Sequence, residues 1–185
     1  MASKSIPQDK QLVTLSKRAR EAIYFWNKFF PSWNGRCLVF LAGPEVLWRL
    51  DASTDWGMGA FMWVLGESEG LYILHEWTPA ERASAFIEVR ESTGILEGMA
   101  AVRCAKAFAT RSRGKRVLME MDNESLARGV RRCYSKTHSM MDLIRGVCET
   151  AAKVEVHLRA AHVKGTLGHA PHAPYCLRLR LSYAC

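Results

Sequence analysis

A change in the spacing of apolar residues near residue 46 constrains the fold of this chain more than any other feature. Upstream, Leu15–Phe30 repeats its apolar residues at helical spacing, and Ser16 is its predicted N-cap. Downstream come three short runs rich in Val, Leu, Trp and Phe, separated by turn residues. These runs are Val46–Ser53, Gly59–Leu65 and Leu71–Trp77. The pattern predicts a helix followed by an antiparallel three-stranded meander.

Helical and extended patterns alternate beyond the meander. No element is assigned to residues 78–91, and RGKR at 113–116 is a predicted turn. The predicted elements are a helix over Thr93–Arg111, a strand over Val117–Met121, helices over Glu124–Ser135 and Met140–Ala152, and a strand over Val154–Ala161. The resulting order, βββαβααβ, is typical of the α/β class.

The length of 185 residues is that of one domain with a short extension. We predict an N-terminal helix and connection over residues 1–45, a domain over 46–165 and an irregular tail over 166–185. Within the connection, residues 31–36 form a predicted turn around Asn34-Gly35, and Cys37–Leu41 is a strand candidate.

The positive charge of the chain is concentrated in one segment. The net charge is +8, but residues 1–102 carry −2, residues 103–136 carry +7 and residues 137–185 carry +3. A local basic patch suits docking of a phosphate-rich partner, whereas evenly spread charge mainly serves solubility.

The six cysteines form no CxxC pair and have no short spacing to histidine that indicates a zinc site, so reduced thiols are expected. The first ten residues lack the apolar stretch of a signal peptide, and every later apolar run is interrupted well before membrane-spanning length. We therefore expect an intracellular protein, cytoplasmic or nuclear, with no membrane partner.

Three acidic residues occupy positions that a solvated charge does not favour. Asp51 lies within the first strand, Glu97 shares the apolar face of its helix and Asp122 closes the strand VLMEM. A buried lone carboxylate is costly unless it is paired, hydrogen-bonded or bound to a cation. If the three lie together, a magnesium or manganese ion would neutralise them, and two such ions can promote phosphodiester hydrolysis.

Each carboxylate also has a simpler interpretation. Asp51 could begin a turn with Ser53 and Thr54, Asp122 could be the N-cap of the next helix, and Glu97 could reach water from the edge of its apolar stripe. Taken singly, these interpretations remain open.

Four strings, in order and on the expected kinds of element, resemble the ribonuclease H domain of reverse transcriptases, most closely that of DIRS-type retroelements. They are LDASTDWGMGAF (50–61), ESTGILEGMAAVRCAKAF (91–108), RGKRVLMEMDN (113–123) and RAAHVKG (159–165). The resemblance covers roughly residues 46–165 and implies a five-stranded mixed sheet flanked by helices, the ribonuclease H-like fold. It also implies cleavage of the RNA strand of an RNA·DNA hybrid with two metal ions, beside a reverse transcriptase domain in a parent polyprotein.

By its position in these strings, Asp51 resembles the family's carboxylate that bridges both metal ions. Glu97 and Asp122 resemble the family's other metal ligands. Glu91 competes with Glu97, but the spacing back from RGKR and the inward-facing register favour Glu97. His162 resembles the histidine associated with product release. The alternative interpretation is an ordinary histidine at the end of a strand, with its hydrogen bonds satisfied.

One departure bears on activity. The family has a fourth acidic residue about ten positions after that histidine, where this chain has His172, and no Asp or Glu follows Glu155. Three explanations remain open: His169 or His172 substitutes as a ligand, one ion binds weakly, or the domain is inactive. Imidazole is a poor magnesium ligand, so substitution is the least favoured.

Four cations follow Asp122 at helical spacing, and further basic residues lie shortly before it. Together they indicate phosphate contacts that do not depend on base sequence. The predicted nucleic-acid-binding residues are Arg113, Lys115, Arg116, Arg128, Arg131, Arg132 and Lys136. The tryptophans at 48, 56, 63 and 77 and most methionines are predicted to fill the core. The alternative to the nuclease is an inactive ribonuclease H-like module that binds nucleic acid or serves as a scaffold.

Overall fold

The computed structural model describes residues 14–33, 43–86 and 92–164. The chain forms two compact units, residues 1–36 and 37–185. In the first unit, helix α1 spans Lys17–Trp33, and the Ser16 hydroxyl accepts a hydrogen bond from the Ala19 amide at 3.2 Å. The predicted N-cap is thereby confirmed.

The helix extends past its predicted end. The turn predicted over residues 31–36 is wrong for its first three positions, because Pro31 lies inside α1. A proline in the last turn removes only one helical hydrogen bond, so the helix can continue past it. The remainder of that turn and the strand candidate Cys37–Leu41 lie outside the described residues.

The second unit contains a five-stranded mixed sheet, which confirms the predicted fold class. The strands are β1 (Val46–Ala52), β2 (Gly57–Val64), β3 (Gly70–Glu76), β4 (Arg116–Met121) and β5 (His157–His162). Their spatial order is β3-β2-β1-β4-β5. β1 and β2 pair antiparallel, as do β2 and β3, whereas β1 pairs parallel with β4 and β4 parallel with β5.

Four α-helices occur in the described part of this unit. They are α2 (Pro79–Phe86), α3 (Ser92–Phe108), α4 (Glu124–Arg132) and α5 (His138–Lys153), with a 3₁₀ turn at Thr110–Ser112. α3 packs on β1, β2 and α5, while α4 packs on β5. Among the described residues, no helix has the length and apolar character needed to cross a bilayer.

Three predicted boundaries need correction. The helix expected to reach Arg111 ends at Phe108 and continues as the 3₁₀ turn, and the last strand starts three residues later than predicted. The helix expected to reach Ser135 ends at Arg132 because Cys133 adopts a left-handed conformation, with φ 49°. No glycine marks that ending, so the usual sequence signal is missing.

The core lies between the sheet and helices α3, α4 and α5. Alternate residues of β1 are buried, and Trp48 at its centre is fully enclosed, with its indole N–H donating to the Ser112 hydroxyl at 3.2 Å. Trp77 is buried as predicted, but Trp56 is 49% exposed in the turn after β1, so its assignment to the core was wrong. Methionines 58, 62, 119 and 121 are buried core residues, as predicted.

Helix α2 was not predicted, although its first turn contains a recognisable signal. Thr78 and Glu81 form a capping box: the Glu81 amide donates to the Thr78 hydroxyl, and the Thr78 amide donates to the Glu81 carboxylate at 2.9 Å. Pro79 occupies the first helical position, which proline favours. His75 and Arg103 also bind the Glu81 carboxylate and connect α2 to β3 and α3.

This cluster predicts a pH-dependent contribution to stability. Burial raises the pKa of Glu81, but hydrogen bonds from His75, the Thr78 amide, Arg103 and the Thr78 hydroxyl outweigh it and lower the pKa to about 2. The contribution is complete above pH 4.5, the ordinary value, and is lost as the pH falls towards 2. Glu81→Gln should lower the free energy of unfolding by about 1–2 kcal/mol at pH 7, allowing for solvent screening.

Urea denaturation at pH 7 and pH 2.5 measures this difference. The difference in free energy of unfolding between wild type and Glu81→Gln should be smaller at the lower pH. An unchanged difference would contradict the lowered pKa of Glu81. Glu76→Gln, at an exposed residue that ends β3, is the control.

Candidate active site

The parallel pairing of β1 with β4 brings two of the predicted carboxylates to the same edge of the sheet. The last paired residues are Arg49 and Glu120. Continuing that register by two residues sets Asp51 opposite Asp122, and adjacent strands lie about 4.8 Å apart. Both aspartates are exposed, so the expectation that their positions disfavour a solvated charge was wrong. Both aspartates lie at the carboxyl ends of parallel strands, where ligand-binding sites form in open α/β sheets.

A partly buried ion pair holds this register immediately before the aspartates. The Arg49 guanidinium donates from Nε at 2.8 Å and from Nη2 at 2.5 Å to one oxygen of Glu120. The same guanidinium lies 5.7 Å from the ring centroid of Phe61 on β2. β1 is thus tied to both neighbouring strands beside Asp51.

Glu97 is the buried member of the set. It lies on the face of α3 that packs against the sheet and is only 9% exposed, and its Oε2 is buried with no hydrogen-bond partner. Burial raises the pKa of Glu97 to about 7, a hydrogen bond from Asn123 opposes the increase, and the charges of Asp122 and Asp51 add to it. Glu97 therefore lies close enough to both aspartates to be repelled by each, which brings the three carboxylates into one region.

Asn123 is a site residue that the sequence interpretation missed. It is the N-cap of α4, with its side-chain oxygen accepting from the Leu126 amide at 2.8 Å, and its side chain also hydrogen-bonds to Glu97. The alternative in which Asp122 caps this helix is therefore wrong. The signal lay in the Asp-Asn pair that precedes the helix, because either residue type is a favourable N-cap.

The simpler interpretations of the other two carboxylates also fail. The turn after β1 is closed by Ser53, whose amide donates to the Gly57 carbonyl and whose hydroxyl accepts from the Asp55 amide. The Asp51 carboxylate accepts only from the adjacent Ala52 amide among the described contacts, at 2.8 Å. Glu97 is too deeply buried to be a solvated edge residue.

The histidine lies at the same edge of the sheet. His162 ends β5 in register with Met121, the residue before Asp122, and it is exposed. The structure thus places His162 one strand away from the carboxylates. Glu91, the competitor of Glu97, and the histidines at 169 and 172 lie outside the described residues.

Across residues 43–86 and 92–164, no three His, Cys, Asp or Glu side chains form a ready-made cation site. Asp51, Glu97 and Asp122 carry like charges, which repel at short distance. Their chemistry nevertheless suits a divalent ion: all are hard oxygen donors, and the unpartnered Oε2 of Glu97 lacks the hydrogen bond that a buried oxygen requires.

The predicted cations divide into two groups. Arg113, Lys115 and Arg116 lie at the start of β4, about 20 Å along the strand from Asp122. Arg116 is already paired with Glu45 and donates to the Gly43 carbonyl. These three residues are therefore remote from the carboxylates.

The second group follows Asp122 directly. Arg128, Arg131 and Arg132 lie on the exposed side of α4, whose opposite side is buried. Arg128 is about one helical turn from Glu124, with which it pairs at 2.5 Å. Lys136 lies beyond the end of α4, so the prediction that it continues this helical face was wrong.

No protein-family model matches the sequence, and no curated protein matches it. The solved structures that resemble the chain include two RNase H proteins. The N-terminal RNase H domain of Rv2228c from Mycobacterium tuberculosis, solved as a fusion with maltose-binding protein, has 14% identity and a TM-score of 0.41 over 64% of this chain and 86% of that one. RNase H1 from Halobacterium salinarum has 9% identity and a TM-score of 0.40 over 66% and 86%. At this similarity, neither structure bears on the activity of this chain.

Proposed function

We propose that the chain is a ribonuclease H domain that hydrolyses the RNA strand of RNA·DNA hybrids with magnesium or manganese. The observation that carries the proposal is the burial of Glu97 within reach of the charges of Asp51 and Asp122. A fold gains no stability from three mutually repelling carboxylates. Their juxtaposition is accounted for by a bound cation.

Asp51, Glu97 and Asp122 would hold the metal ions. When bound, such ions supply charge neutralisation at the scissile phosphate and lower the pKa of an attacking water. His162, exposed at the end of β5, would assist release of the cleaved product. Asn123 orients Glu97 through their hydrogen bond.

The arginines on the exposed side of α4 would hold the hybrid through its phosphates. Arg128, Arg131 and Arg132 follow Asp122 along α4, and Arg128 is about one helical turn past Glu124, so a backbone bound along α4 would run towards the site. Such contacts do not depend on base sequence and weaken as salt rises. Discrimination of a hybrid from DNA would then depend on 2′-hydroxyl contacts and groove shape.

The retroelement context belongs to the same proposal. The four strings that resemble DIRS-type elements support an origin beside a reverse transcriptase domain, with α1 as part of the connection to it. Coexpression with a reverse transcriptase domain of that class would test this assignment.

An inactive nucleic-acid-binding or scaffold module is the second candidate, and one observation favours it. The family has a fourth carboxylate about ten positions after the histidine, where this chain has His172. This candidate predicts salt-dependent binding of the hybrid without cleavage.

A cleavage assay separates the two candidates. The purified chain, with magnesium or manganese, should cut the labelled RNA strand of a hybrid and leave the DNA strand intact. Asp51→Asn should lower the initial rate by about 100-fold or more, because the loss of metal charge at the phosphate raises the barrier by several kcal/mol.

The matched control is Asp55→Asn, an exposed aspartate four residues further along in the turn after β1. It should cleave at the wild-type rate. If wild type and Asp51→Asn are equally inert while both bind the hybrid, the nuclease is excluded and the inactive module is supported.

A further inference from the structure

Two cysteine side chains meet between α4 and α5, away from the carboxylates. The Sγ atoms of Cys133 and Cys148 are 3.3 Å apart, and both residues are partly exposed. Neither is in a disulfide. The third described cysteine, Cys104, is fully buried in the core.

The backbone around Cys133 directs its side chain towards Cys148. After the last turn of α4, the Cys133 amide donates to the Val130 carbonyl and the Tyr134 amide donates to the Gly129 carbonyl, the pattern of a Schellman motif. This ending requires a left-handed residue, and Cys133 has φ 49°. Glycine is the usual residue here because a Cβ strains the conformation. Cys133 therefore has a strained backbone conformation, and its side chain contacts Cys148.

The two thiols differ in acidity, which suits sequential reaction. The hydrogen bond from Cys148 lowers the pKa of Cys133 despite its partial burial. That hydrogen bond, burial and the charge on Cys133 raise the pKa of Cys148. The thiolate is the nucleophilic form, so Cys133 is the attacking sulfur and Cys148 its neighbouring proton donor. By contrast, burial alone raises the pKa of Cys104.

We propose that Cys133 and Cys148 form a peroxide-sensitive dithiol site that closes reversibly to an intramolecular disulfide. The Cys133 sulfur attacks one oxygen of hydrogen peroxide, the O–O bond breaks and water leaves, which gives a sulfenic acid. The Cys148 sulfur then attacks the sulfenic sulfur, the S–O bond breaks and a second water leaves. Two thiols are oxidised, and one peroxide is reduced to two waters.

The disulfide would join the end of α4 to α5. It closes a loop of about 15 residues and needs the sulfurs to approach by only about an ångström. It also restrains the helix that carries Arg128, Arg131 and Arg132. The site does not depend on the proposed nuclease, because its chemistry uses none of the carboxylates.

Stoichiometric hydrogen peroxide on the folded, full chain tests the proposal. Intact mass should fall by about 2 Da, and peptide mapping without reductant should show Cys133 linked to Cys148 while Cys104 stays a free thiol. The oxidised chain should melt about 5–10 °C higher, and dithiothreitol should reverse both changes. Cys133→Ser should prevent the disulfide, and Cys148→Ser should leave Cys133 as a trappable sulfenic acid.

Three results would overturn the proposal. One is oxidation of Cys133 to sulfinic acid in the wild type while Cys148 remains a thiol. Another is a disulfide that joins either residue to Cys37, Cys176 or Cys185. The third is equal peroxide reactivity of Cys104. If a serine variant fails to fold, the mapping of the wild type alone decides between these results and the expected pair.

Discussion

Replacing Glu97 by glutamine should stabilise the metal-free chain above pH 7 and abolish metal-dependent cleavage. Burial, together with the charges of Asp122 and Asp51, raises the pKa of Glu97 from 4.5 to about 7. At neutral and alkaline pH, Glu97 is therefore ionised in a folded environment that disfavours its charge, and this destabilises the folded state. Glutamine keeps the size of the side chain and removes the charge.

The direction of the pH dependence follows from proton uptake. Between pH 4.5 and 7 the folded chain retains a proton on Glu97 that the unfolded chain has lost. The free energy of unfolding of the wild type should thus fall as pH rises through this window and level off above 7. Glu97→Gln should remove the decline and gain about 1–3 kcal/mol at pH 8, since each pH unit of pKa difference is worth about 1.4 kcal/mol.

Denaturant titrations from pH 4 to 8, with the metal chelated, measure this profile. Magnesium or manganese should raise the stability of the wild type more than that of Glu97→Gln, because the glutamine lacks the ligand charge. Glu67→Gln, at an exposed glutamate between β2 and β3, should change neither the profile nor the metal response. A variant that is less stable than the wild type at pH 8 would contradict the placement of Glu97 among like charges.

Gly57→Ala should have the largest effect on folding of any single methyl addition at the described glycines. A Cβ at Gly57 would lie 2.0 Å from the His75 carbonyl oxygen and 2.9 Å from the Glu76 Cα. Both neighbours are backbone atoms of β3 and cannot move without breaking its pairing with β2. We expect a loss of about 3 kcal/mol or more, or failure to fold.

Gly59→Ala is the matched control on the same strand. Its Cβ would meet only the Leu74 side chain at 3.5 Å, an ordinary van der Waals contact. Thermal unfolding of both variants is the measurement. Equal melting temperatures would refute the close approach of β3 to Gly57.

The sequence predicted most of the fold, because the fold depends on the spacing of apolar residues. All five strands were placed within three residues of their true starts, and the helices α3, α4 and α5 were recognised. Helix α2 was missed because its apolar repeat is weak, although the capping box at Thr78 and Glu81 indicated it. The end of α4 could not be predicted, because a cysteine replaces the usual glycine.

The prediction of the site was less complete. Spacing indicated which carboxylates could share a region and that Glu97 faces the core, but not that Asp51 and Asp122 are exposed. It also offered only Asp122 as a possible N-cap of α4. In the structure, the Asn123 side chain caps α4 and also binds Glu97.

Local sequence determined the order of strands and helices, the inward face of α3 that carries Glu97, and the concentration of positive charge after residue 102. Tertiary structure alone decided the pairing of Arg49 with Glu120, which sets Asp51 opposite Asp122, and the contact of Cys133 with Cys148. The reason is physical. Periodicity is a property of neighbouring residues, whereas strand register and side-chain contacts depend on residues far apart in the chain that meet only when the core closes.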